Sequence, residues 1–232
     1  MKQLMDHQRE MARRVAQHEM GHYVAARTMG FETGEVSIEL TGFADGHHGT
    51  TEITLPEHLP SIDEITSYLE RRVIVLYAGG AAETLPGRGA PDQKVDVEEA
   101  VKIICSPGAG AEQDHAKAKE LIHVLRNIIG ENPVSAGMDA VQEELTALDR
   151  RLFQRAVELV EKNAAYIVGL AANLADRVTA IRQKQTLSKS YLEGLPAVAA
   201  IALDVTQSPD AIDDDRQMSG SSQDEGDGIR SL

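Results

Sequence analysis

The sequence predicts a mainly α-helical fold with one small β-sheet or hairpin, an α+β architecture. Three observations predict it. Long segments repeat apolar residues at three- and four-residue steps over residues 3–29, 61–85, 111 onward and 139–182. Two short segments alternate instead, residues 35–40 and 49–55, and they adjoin one another. After about Val205 the periodicity ends and Ser, Gln, Asp and Gly dominate. The 232 residues therefore read as one folded domain, 1–204, followed by a disordered acidic tail, 205–232.

The first helix, 3–29, places Met11, Val15, His18, His22, Ala25 and Met29 on one stripe, with Gly30 positioned to end it. Gly21 sits inside this helix at a cost of about 1 kcal/mol relative to Ala. Such a glycine is expected where another backbone passes close by. Glu35–Leu40 and Gly49–Leu55 follow as strands, joined by a link containing Gly42, Asp45 and Gly46, which predicts a hairpin or two neighbouring strands. On spacing alone this is equally a small structural hairpin or a wall along which an extended peptide docks by edge pairing. His47 and His48 are neighbours in extended chain and point apart, which argues against their acting as a ligand pair.

Ser61 with Glu64 three residues on forms a capping-box start for the next helix, whose stripe runs through Leu69, Val73, Leu76 and Gly80 to Glu83. Pro86, Gly87, Gly89 and Pro91 mark a loop, residues 95–105 a short helix, and 106–110 a second break. The helix from Ala111 carries Asp114, Ala118, Leu121, Leu125 and Ile128 on one face, with Asp114 in the first turn, where an acid suits the helix dipole. Residues 139–182 read as one or two helices, and Thr186 to Leu192 as the start of another.

Composition narrows the function. Hydrophobic residues make up 42% and charged residues 26%, as in a soluble globular protein. Aromatics are only 3%, so the core must come from Ala, Val, Leu, Ile and Met. The net charge of −14 argues against a nucleic-acid partner. From Asp204 onward eight acids face only Arg216 and Arg230, so −6 of that charge lies in residues 204–232. The single cysteine, Cys105, excludes an intrachain disulfide and reads as a small buried or loop residue in a reducing compartment. No apolar run approaches a membrane span and the first residues lack a signal-peptide core, so a soluble, cytoplasmic protein without a membrane partner is expected.

The chemistry concentrates in His18-Glu19-Met20-Gly21-His22. Residues four apart share a helix face, so both imidazoles can serve one ion, while Glu19 reaches a water on it rather than the ion itself. This is the pattern of zinc hydrolysis, which needs a third ligand, an open position and a carboxylate base. A metzincin extension is excluded, because Ala25 and Thr28 stand where Gly and His are required. The third ligand is then an acid on a later helix: Glu83, Glu112 or Asp114. Glu112 lies off the apolar face of its helix, while Glu83 and Asp114 both lie on inward faces and periodicity does not rank them.

Five segments in order resemble the peptidase domain of the FtsH-type AAA+ metalloproteases. His18–His22 resembles the family's H-E-x-G-H, Thr50–Glu57 its strand ending in Leu-Pro-Glu, and Val75–Glu83 its L-x-G-G-x-A-A-E helix. Gly110–Ala118 is similar to G-A-x-x-D-x-x-x-A, and Leu174-Ala175 with Thr186-Leu187 to the terminal L-A…T-L pattern. The resemblance covers roughly residues 10–200. It implies a zincin-like helix in an FtsH-peptidase-like helical domain, with Zn2+ on His18, His22 and Asp114. It also implies Glu19 as catalytic base and Glu83 as a support orienting a ligand histidine.

Met20 and Tyr23 depart from the family, being bulky where it usually has Ala, which would narrow the space behind the helix. The stretch 86–110 is also long. No G-x-x-x-x-G-K-[ST] occurs in the chain, so the expectation is a stand-alone metalloendopeptidase that cuts unfolded or flexible polypeptides, ATP-independent by itself. A separate AAA+ ATPase and a homo-oligomer are the partners the family implies. The alternative is a catalytically inactive zinc-binding interaction or scaffold module on the same fold. The intact Glu19 favours the enzyme, since structural zinc needs no base.

Overall fold

The computed structural model describes residues 4–41, 46–106, 110–130 and 137–204. The acidic tail expected over 205–232 lies outside them.

Two helices carry the frame of the molecule. Helix α1 spans Asp6–Thr28 and stops as the sequence predicts, with Gly30 just beyond it at φ +82°, a conformation that favours glycine. Helix α2 spans Ile62–Glu83. Its start is the expected capping box: the Glu64 amide donates to Ser61 Oγ at 3.2 Å, and the Ser61 amide to Glu64 Oε2 at 3.0 Å. The two helices pack closely because Gly21 faces α2. A Cβ built there would lie 2.6 Å from the Ala78 carbonyl oxygen and 2.5 Å from Ala82 Cβ. The glycine signals the close backbone approach expected of it.

Strand β1 spans Glu32–Leu40 and β2 spans His47–Thr54, paired antiparallel with Ile38 opposite Gly49 and Leu40 opposite His47. Both begin two or three residues before the alternation in the sequence shows them; in β1 a bulge between Thr33 and Val36 interrupts the period. Val36, Ile38 and Leu40 point into the core. Helix α3, Val97–Cys105, occupies the second half of the long stretch after α2. Cys105 is the last residue of this helix and is exposed, so the expected buried or loop position is corrected: a helix end holds it at the surface.

Helix α4 spans Glu112–Ile129, α5 spans Met138–Lys162 and α6 spans Ala164–Ala175. Buried Asn163 separates the last two, its side-chain amide donating to the Leu159 carbonyl at 2.9 Å. The helical pattern expected to continue to residue 182 therefore ends at Ala175. Gln185–Leu187 then forms β3, which pairs antiparallel with β1 through Val36 to Ile38. The expected helix start at Thr186 is corrected: Ser188 caps α7, Lys189–Glu193, and a last turn, α8, covers Pro196–Ala199. A three-residue strand carries too little alternation to be seen, and its partner lies far off in sequence.

The result is mainly helical with one three-stranded antiparallel sheet in the order β2-β1-β3, an α+β arrangement. Helix α1 is central, packed against α2, α6 and the sheet, while α2 also meets α4 and α5. The core is aliphatic, with Tyr23 and Tyr77 among its few rings. Met20 and Tyr23 are fully buried in it and do not line the site's cleft. Among the described residues, no helix is long and apolar enough to cross a membrane.

Candidate metal centre and its cleft

Helix periodicity sets His18 and His22 side by side on α1, and both are 93% buried. Helix α4 brings Asp114 to them from its first turn. Nε2 of His18 lies 3.1 Å from Nε2 of His22, and Asp114 Oδ2 lies 3.4 Å and 3.0 Å from the two. Of the three acids left open by the pattern, Asp114 alone faces both of these nitrogens. Glu83 sits on the other side of His18, with Oε2 at 3.1 Å from Nδ1. Glu112 is exposed at the rim, where Oε2 accepts from the Gly110 amide.

The partners of the two Nδ1 atoms fix the tautomers. His22 Nδ1 lies 2.8 Å from the Val75 carbonyl oxygen, which can only accept, so Nδ1 carries the proton. Glu83 makes the same demand of His18, and Arg14 steadies Glu83 at 2.9 Å. In the neutral rings both Nε2 lone pairs therefore point at each other and at a carboxylate oxygen. That arrangement is repulsive unless a cation stands among the three. The observed separations match the edge of a tetrahedron drawn about zinc at its usual bond length, about 3.3 Å. His18, His22 and Asp114 could hold a metal ion.

Left to protons alone, the group behaves as the same logic requires. Burial pushes the His18 imidazole down, but hydrogen bonds to Asp114 and Glu83 and the nearby Glu19 charge outweigh it and raise its pKa to about 10. Burial also opposes ionisation of Asp114, yet the two imidazoles hold its carboxyl far below the usual carboxylate range.

Space for the rings and for the base comes from absent side chains. A Cβ on Gly79 of α2 would lie 2.5 Å from His22 Cε1 and 2.8 Å from His18 Nε2. One on Gly49 of β2 would meet Glu19 Cδ at 2.7 Å. Glu19 is buried beside the centre, and its Oε2 lies 2.7 Å from Thr51 Oγ1, whose hydroxyl can donate to it.

These groups line one cleft of about 520 Å3 between α1, β2, α2 and the start of α4. His47 and His48 border it, but the candidate metal group among the described residues does not include them. Thr51, Gly79, the Val75 carbonyl and Arg14 are the parts that sequence reading missed. Only Gly79 left a trace, as half of a Gly-Gly pair inside a helix, where each glycine weakens the helix and calls for a reason. No protein-family model matches this chain, and no curated protein matches it.

Proposed function

We propose that the protein is a zinc-dependent metalloendopeptidase acting on unfolded or flexible polypeptides. The observation that carries this reading is the triangle of His18 Nε2, His22 Nε2 and Asp114 Oδ2 with both Nδ1 protons tied down, set beside a buried glutamate in an open cleft. The sequence resemblance to FtsH-type peptidases supports the same assignment of roles. His18, His22 and Asp114 would hold the ion, and Glu83 and the Val75 carbonyl keep the two rings turned towards it. When bound, zinc supplies Lewis acidity that polarises a carbonyl and brings water towards a pKa of about 7.

The chain's own residues do the rest. Glu19 takes a proton from the attacking water and returns it to the leaving amine. Thr51 holds one Glu19 oxygen, leaving the other for that proton. Strand β2 is an edge of the sheet, and Gly49, Thr50, Thr51 and Ile53 line the cleft. Its outer backbone groups suit an extended polypeptide added as a fourth strand, which would bring a peptide carbonyl past the centre.

The test is zinc content and cleavage of an unfolded protein such as casein, measured for wild type, His22→Ala, Asp114→Ala and Glu19→Gln. Zinc should be lost from the first two variants. Glu19→Gln should keep zinc and lose at least a hundredfold in rate, the usual size of a general-base contribution. Stoichiometric zinc in Asp114→Ala would move the ligand role to Glu83. Full zinc with no cleavage by wild type would favour the interaction-module alternative.

A further inference from the structure

The metal centre leaves two cations of its cleft without a task. Arg72 and Lys117 line the cleft, from α2 and α4 respectively. The preceding residue, Arg71, is engaged: its guanidinium donates to the Met29 carbonyl and to Glu57, each at 2.8 Å. Arg72 differs. Its Nη1 is buried without a hydrogen-bond partner, and no ion pair engages Arg72 or Lys117 among the described residues. Burying part of a guanidinium without a partner is unfavourable, and the group that best satisfies it is a planar carboxylate accepting two parallel bonds.

Position gives the feature its meaning. Leu76, one turn beyond Arg72, also lines the cleft, and Gly79 underlies the imidazoles. Arg72 therefore stands seven residues, about 10 Å along the helix, from the metal-bearing turn. Lys117 follows Asp114 by three residues on α4. An extended chain advances about 3.3 Å per residue, so groups within about three residues of the bond at the metal centre come within reach of this pair. Val15, Ile53 and Leu76 also line the cleft and supply aliphatic surface, where water competes less for a charge-assisted bond. On a chain with net charge −14, Arg72 and Lys117 are two cations of this cleft that no ion pair engages among the described residues.

We propose that Arg72, assisted by Lys117, is a carboxylate-binding subsite that selects polypeptides by an acidic side chain, or a free C-terminal carboxylate, near the scissile bond. This rests on the peptidase reading of the same cleft. The experiment compares one flexible peptide with versions carrying Glu in place of Gln at each position around the cleaved bond, each with a free or an amidated C-terminus. With the zinc-loaded full chain, kcat/KM rises about tenfold for Glu at one position, or for the free end, the size of one charge-assisted bond. A gain at an internal position identifies a side chain as the source, and a gain confined to free ends identifies the chain terminus.

Arg72→Gln should abolish that preference, Lys117→Gln should reduce it, and Arg72→Lys should keep part of it. Lys117 is exposed, so its variant tests the subsite even where a change at Arg72 disturbs folding. Equal cleavage of all versions by wild type, or an undiminished preference in both Gln variants, overturns the subsite. The same peptides, fluorescently labelled, are titrated into Glu19→Gln protein and followed by anisotropy. Acid-selective binding that needs Arg72, with no cleavage by wild type, supports the subsite and overturns the peptidase reading. Cleavage without acid preference does the reverse.

Discussion

Gly79 lies directly beneath His22: a single methyl added to the glycine would come within 2.5 Å of the imidazole Cε1. Real carbon atoms do not approach so closely, and the nearest atoms belong to rings held at their far side by Val75 and Glu83. Gly79→Ala is therefore expected to weaken zinc binding about 10- to 100-fold, the range typical of losing a ligand's orientation. Competition with a chromophoric chelator measures it. Unchanged affinity would mean the rings are free to turn, against the geometry described.

The Glu83 carboxylate contacts His18 on one side and Arg14 on the other. Glu83→Gln keeps the shape but removes the charge that makes the ring a better donor to metal. A loss of about tenfold in zinc affinity is expected, together with a lower melting temperature of the metal-free protein near pH 7, where Glu83 stabilises protonated His18. Equal affinities in the same competition assay would reduce Glu83 to a packing residue.

Thr51 touches Glu19 and is not part of the candidate metal group, so under the proposed function it acts through Glu19. In Thr51→Val the shape of the branched side chain stays while the hydroxyl is lost. The expected result is a fall of about tenfold in kcat with full zinc content and little change in KM, rescued by Thr51→Ser. A fall in KM alone, or no rescue by serine, would count against this positioning role.

Protons compete with metal at this centre. The folded pKa of His18, about 10, lies above its ordinary 6.5, so its contribution to the stability of metal-free protein is complete below about pH 6.5. That contribution is lost as pH rises towards about 10. Asp114, held low, contributes above its ordinary value of 3.8 and loses this as pH falls below it. Chelator-treated protein should thus melt at progressively lower temperature from pH 7 to pH 10, and zinc loading should flatten the slope. Zinc binding at pH 8 should release about one proton, read by calorimetry in buffers of different ionisation heat. Uptake or no release would contradict a protonated His18.

At Gly21 two effects oppose one another. Alanine would gain about 1 kcal/mol of helix propensity. Its methyl, however, meets a backbone carbonyl at 2.6 Å, and backbone inside two packed helices does not yield cheaply. Overpacking of about 1–3 kcal/mol outweighs the gain, so Gly21→Ala should lower the melting temperature by a few degrees. A rise would show that α1 and α2 can separate.

How much of this was legible beforehand follows from range. The metal helix, the capping box at Ser61 and the hairpin are written in neighbouring residues, and reading them needs no knowledge of the rest. Asp114 was visible as an inward acid, but so was Glu83. Separating them requires knowing which side of His18 each helix reaches, which periodicity does not encode. Strand β3 and Thr51 depend on partners distant in sequence, Val36 in one case and Glu19 in the other. Arg72 looked like one of many surface charges on an amphipathic helix, and only the packed structure shows its guanidinium partly buried and unpaired.

The middle strand of the sheet has a consequence in time. Strand β1 is flanked by residues made soon after it and by Gln185–Leu187, made about 150 residues later, while the Asp204 amide reaches back to the Thr28 carbonyl. A growing chain thus holds both histidines, the glutamate and the aspartate well before the scaffold under its cleft wall can close. Distant pairings of this kind form late and slowly. The order of synthesis places β3 after every side chain of the candidate centre, so that a half-made chain holds those side chains before the sheet beside them is complete.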